Sequence, residues 1–139
     1  MDNKILNKAL MLHVSSNREI SPEVAALLVT ANNNKTLALL YNSAGVEIGY
    51  IIYANINAYS AYAFLKHNVY PQYFHEWNEG RFTLIYRVML IASTRAEVFY
   101  ALGNFIKSKK ILLYKRRDRV TLWKERNVLF RKKVLFNSG

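Results

Sequence analysis

The chain has 139 residues, 52% of them apolar, and a formal net charge of +11. A chain of this size fits one domain and buries roughly two thirds of the surface its unfolded form exposes. With no cysteine, disulfides, thiolate nucleophiles and cysteine-ligated zinc are all excluded, and the composition fits a reducing cytosol.

From the start, Asn3 to Val14 has the spacing of a helix, with Ile5, Leu6, Ala9, Leu10 and His13 on or near one face. Ser15-Ser16-Asn17 breaks it, and Lys, Asn and His interrupt the opening stretch, so no secretory signal is expected. Ser21-Pro22-Glu23 reads as a second helix start, with Ser21 capping and Pro22 at the first helical position, where its missing N–H costs nothing. That helix carries Val24, Leu27, Leu28 and Ala31 and stops at Asn32-Asn33-Asn34. Thr36 to Tyr41 is a short strand, and Asn42-Ser43-Ala44-Gly45 is a hairpin turn into the next one.

The second strand, from Glu47, is apolar on both faces and is expected to be covered on both. Asn57 and Ser60 are candidate caps for a third helix, whose Tyr59, Tyr62, Ala63 and Phe64 recur at helical spacing. The segment passes Pro71 and ends at Trp77-Asn78-Glu79-Gly80, with Gly80 read as a turn glycine. A strand follows at Arg81, with Phe82, Leu84, Tyr86, Val88 and Leu90 as one face and Arg87 on the other. Thr94-Arg95-Ala96-Glu97 is a capping box that opens a helix with Val98, Phe99, Leu102, Phe105 and Ile106 on its apolar face. Ile111 to Lys115 and Val120 to Lys124 form a closing hairpin, and the tail from Asn127 to Phe136 is both basic and apolar. The expected fold is therefore α+β, a single domain over residues 1–139 with a mostly antiparallel sheet flanked by helices. No run approaches the ~20 apolar residues that cross a bilayer.

The charge is local. From Lys107 to the end there are twelve Lys or Arg against Asp118 and Glu125, whereas the preceding residues carry eight basic and seven acidic side chains. Such a patch speeds encounter with acidic partners and makes binding salt-sensitive. Nucleic acid is one such partner, with Tyr114, Trp123 and Phe130 available for stacking, but no recognition motif favours it.

A strand with Gly49-Tyr50 and Tyr53-Ala54-Asn55, then an aromatic helix, then Trp77-Asn78-Glu79-Gly80 leading into a strand, resembles the bacterial toxin-activating lysine acyltransferases. The resemblance covers about half the chain. It implies a fold related to the GCN5-type N-acetyltransferases, a cytoplasmic location and fatty acyl transfer from acyl carrier protein to a protoxin. The short, basic chain looks most like diverged members from siderophore-microcin maturation, in which a related protein and a partner subunit link a glycosylated siderophore to the peptide's carboxyl terminus. The implied partners are a toxin or microcin precursor and a second maturation subunit or a homodimer. No cofactor is implied.

In that family a His after the first helix and an Asp in the strand following Trp-x-x-Gly carry catalysis. His13 is the nearest match to the first, although it needs a small insertion, and the alternative register places Asn17-Arg18 there. His13 also reads as a packing residue on an apolar face. The acid position falls on or near Arg87, and no Asp or Glu occurs between Glu79 and Glu97. Losing an acid–base partner typically costs ~10²- to 10⁴-fold in rate, so a noncatalytic scaffold subunit is the alternative. Arg87, Tyr53, Asn55, Trp77 and Arg95 are the expected substrate contacts; the guanidinium fork of Arg87 suits an anionic donor. The turn at Ser93-Thr94-Arg95 lacks the Gly-x-Gly with which typical N-acetyltransferases cradle coenzyme A pyrophosphate, although backbone N–H groups at that helix start suit one phosphate. No metal constellation is present in the sequence.

Overall fold

A computed structural model describes residues 3–67, 78, 80–91, 94–109, 111–116, 119–124 and 127–133, the last three segments beyond residue 114 as backbone. In chain order the elements are α1 (Lys4–Ser15), α2 (Pro22–Asn34), β1 (Leu37–Tyr41), β2 (Glu47–Ile56), α3 (Ala58–His67), β3 (Phe82–Leu90), α4 (Arg95–Lys107), β4 (Ile111–Arg116), β5 (Arg119–Lys124) and β6 (Asn127–Lys133). The sheet follows the order of the sequence, β1-β2-β3-β4-β5-β6. The fold is α+β with a mostly antiparallel sheet, and helices flank it. Among the described strands, β3 and β4 run parallel, over Phe82–Ile85 and Ile111–Tyr114. A parallel pair needs a long crossover connection, and α4 supplies it.

Local chemistry sets most of the boundaries. The Ser21 hydroxyl accepts from the Val24 N–H at 3.2 Å, and Pro22 opens α2. Asn17 and Lys35 take left-handed backbone conformations that end α1 and α2. Asn42 Oδ1 accepts from the N–H groups of Ala44 and Val46, which closes the β1–β2 turn around Gly45 at φ +79°. Asn57 caps α3 by accepting from the Ser60 N–H at 2.8 Å, and Thr94 caps α4 by accepting from the Glu97 N–H at 3.3 Å. Each such cap is worth about 1 kcal/mol.

The chain divides into two compact units, Met1–Tyr53 with Arg87–Phe105, and Ala54–Tyr86 with Ile106–Gly139. In the first unit, α1 and α2 pack on each other and on β1. Its core is Ala9, Leu12, Leu28, Ala31, Leu37, Leu40, Ile48, Tyr50, Ile51, Ile52, Met89, Ala101 and Phe105. Consecutive burial at Tyr50, Ile51 and Ile52 shows both faces of β2 covered, as its two apolar faces require. Each large apolar side chain so buried contributes about 1.5–3 kcal/mol. The second unit centres on Ala54, Ile56, Ala61, Phe64, Leu84, Ile85, Leu112 and Leu113.

Two expectations shift. Phe99, expected on the apolar face of α4, is 72% exposed, whereas Phe105 of that face is buried as expected, together with Ala101. Much of the basic tail is a sixth strand, antiparallel to β5. Among the described residues no helix is long and apolar enough to cross a membrane.

Candidate functional site

The first unit contains the histidine that the sequence singles out. α1 turns His13 inward beside Ala9 and Leu12, and the imidazole is 2% exposed. Its Nε2 lies 2.8 Å from the hydroxyl of Tyr50 on β2, with the rings 5.6 Å apart and tilted. Tyr50 is itself fully buried. The second ring nitrogen, Nδ1, is buried without a hydrogen-bond partner. The hydrogen-bond partner of His13 is therefore a phenol hydroxyl. Tyr50 was visible only as one of several apolar positions in a doubly covered strand, so its role as the histidine's partner was missed. A pairing 37 residues apart leaves no periodic signal.

Along α1 lies an open groove of about 310 Å³ lined by Asn7, Lys8, Met11, Leu12, Ser15 and Glu47; neither His13 nor Tyr50 lines it. Lys8 Nζ donates to Glu47 Oε1 at 2.7 Å across it. That hydrogen bond raises the Lys8 ammonium above its ordinary pKa and lowers the Glu47 carboxyl below its own. Both groups are solvent-accessible, so screening keeps the pair's contribution small. Met11 and Val14 leave the outer face of α1 apolar and exposed.

The expected substrate contacts separate into different settings. Tyr53 packs its ring 5.2 Å from Phe105 and its hydroxyl donates to the Lys35 carbonyl at 3.5 Å; burial pushes its phenol above the ordinary value. Arg87 on β3 and Arg95 at the start of α4 are exposed. Asn55 belongs to the second unit, where its Nδ2 donates to Asn78 Oδ1 at 3.5 Å and its Oδ1 accepts from the Thr83 hydroxyl at 3.4 Å. Its carbonyl also accepts from the Gly80 N–H at 3.2 Å. Asn55 thus ties the end of β2 to the start of β3. Trp77, like Pro71, lies outside the described residues.

Two glycines in the resembling motif have steric reasons. A Cβ at Gly49 would collide with the Met89 carbonyl, and one at Gly80 with the Ile56 carbonyl. Gly80, in the bend before β3, is needed for this close backbone approach. Among the described residues no group of three acidic or histidine side chains is arranged to hold a metal ion. No protein-family model matches the sequence, and no curated protein matches it at a significant level.

Proposed function

We propose that this chain is an acyltransferase-like maturation protein that modifies a bacterial protein or peptide toxin after translation. The observation that carries the reading is the strand–helix–strand crossover β3–α4–β4, which puts one parallel pair into a mostly antiparallel sheet. This arrangement fits the GCN5-related architecture that the Gly49-Tyr50, Tyr53-Ala54-Asn55 and Trp77-x-x-Gly80 motifs resemble. The start of α4 supports it, because the positive end of a helix dipole favours an anionic donor. A fold can serve several chemistries, so the siderophore-microcin branch and fatty acylation of lysine are two forms of one proposal, with a carrier-bound or otherwise activated donor.

A second reading is favoured by a separate observation. His13 is enclosed and hydrogen-bonded to Tyr50, and β3 has Arg87 where the acid of the resembled family falls. Those features suit a noncatalytic subunit that keeps the fold and leaves the reaction to a partner.

Co-expression with a candidate precursor, followed by intact-mass measurement, tests both. A mass gain that needs this chain and is lost in a folded His13→Gln variant supports catalysis here. A gain that survives in the folded variant supports the subunit reading. No gain with any neighbouring precursor and partner removes the maturation assignment.

A further inference from the structure

We infer that the outer edge of β1 docks an extended, uncharged segment of another polypeptide as an added strand. The ladder beneath it, Leu37–Tyr41 against Glu47–Ile52, lies within the first unit, and the inference does not depend on the transferase reading. Residues of an antiparallel pair alternate between those that exchange N–H···O bonds with the partner strand and those whose N–H and C=O point away from it. Two bonds fix the phase. Tyr53 N–H donates to the Thr36 carbonyl at 3.1 Å at one end, and Asn42 N–H donates to the Val46 carbonyl at 3.0 Å at the other. Thr36, Ala38, Leu40 and Asn42 therefore face β2, while Leu37, Leu39 and Tyr41 turn their backbone donors and acceptors to the open side. β1 begins the strand order, with a strand neighbour on one side only among the described residues.

The strand carries none of the residues that usually protect an edge. Lysine, proline and inward charges are the common devices, as are bulges and very short strands. Thr36 to Tyr41 contains no charged residue and no proline. Its five residues are an ordinary strand length, about five or six, and the register shift lies at the Tyr41 end, leaving Leu37 to Leu40 regular. Leu37 and Leu40 are buried, Ala38 and Leu39 are half-buried, and Tyr41 is 42% exposed. That chemistry selects the occupant. Nucleic acid and anionic lipid are held by cations, and the strand has none. A stable dimer takes about 20–30 residues a side, against the five of this edge. A charge opposite Leu37 or Leu39 would be desolvated without a partner. What fits is a peptide strand that bonds to the three outward residues and sets apolar, β-branched side chains opposite them.

The test is fluorescence anisotropy with the full chain and a labelled, uncharged synthetic peptide of alternating valine and threonine. This peptide is expected to bind at least about tenfold more tightly than the same peptide N-methylated at every amide, which keeps its side chains and loses its strand donors. Leu39→Pro removes an outward donor and no bond to β2, and should weaken binding by a similar factor. Should that variant not fold, amide exchange on the unaltered chain decides: the peptide slows exchange at Leu37, Leu39 and Tyr41 and leaves Ala38 and Leu40 unchanged. Absent binding, equal binding of the N-methylated peptide, equal binding by folded Leu39→Pro, or unaltered exchange at the outward amides overturns the proposal. So does a concentration-dependent dimer that Leu39→Pro abolishes, because the occupant is then a second copy.

Discussion

The imidazole of His13 and the hydroxyl of Tyr50 meet 2.8 Å apart inside the first unit, with Nδ1 of the histidine left without a partner. The pair joins α1 to β2, and it commits Nε2 to the phenol hydroxyl. Removing the hydroxyl leaves a buried nitrogen unsatisfied, which costs about 1–3 kcal/mol. Tyr50→Phe is therefore expected to lower stability by that amount in urea denaturation. An unchanged midpoint would show that the hydrogen bond contributes nothing net.

Glycine substitutions separate close approach from conformational freedom. Gly49→Ala and Gly80→Ala each drive a methyl group into a backbone carbonyl, and overpacking of this kind costs about 1–3 kcal/mol. Gly103 lies within α4 with nothing near its Cβ position. Gly103→Ala should stabilise by about 0.5–1 kcal/mol, because alanine loses less chain entropy in a helix. Thermal melts of the three variants are expected to move in these opposite directions.

Cap removal gives a local check on the crossover helix. Thr94 accepts from the Glu97 N–H, and replacing such a cap by alanine costs about 0.5–2 kcal/mol. Thr94→Ala should fall within that range and raise amide exchange in the first turn of α4. Exchange that is uniform along the helix would argue against a cap at this position.

The pH dependence follows from three groups. The Glu47 carboxyl is lowered by Lys8, so its share of stability is present above the ordinary carboxylate pKa and is lost as pH falls through the lowered value. The Lys8 ammonium is raised by Glu47, and the Tyr53 phenol is raised by burial. Their shares are present below the ordinary values, near 10, and are lost as pH rises through the raised ones. Glu47→Gln should flatten the acid limb slightly at low salt and have less effect at high salt, where the exposed pair is screened. Melting curves across pH at two ionic strengths measure this; an acid limb that Glu47→Gln leaves unchanged would assign it to other carboxylates.

Much of the fold was legible before any coordinates, because its signals are local. Ser21-Pro22, the Asn42 turn, the Asn57 and Thr94 caps and the doubly apolar run from Ile48 each act within a few residues, so composition and spacing expose them. The α+β class and antiparallel bias follow from the order of those pieces. The tail was harder: an apolar run followed by a basic run carries no period-2 alternation, and its strand character depends on pairing with β5.

What the sequence by itself determined is therefore the elements before β6, their order and the concentration of charge after Lys107. Tertiary structure alone decided that His13 meets Tyr50 and not an acid, that Gly49 and Gly80 yield space to facing carbonyls, that Phe99 stays outside, and that Arg116, Arg119 and Lys133 share one row. Each of these depends on register and on contacts between residues distant along the chain. Such contacts are set by how whole elements pack, and no short-range preference of a single segment encodes them.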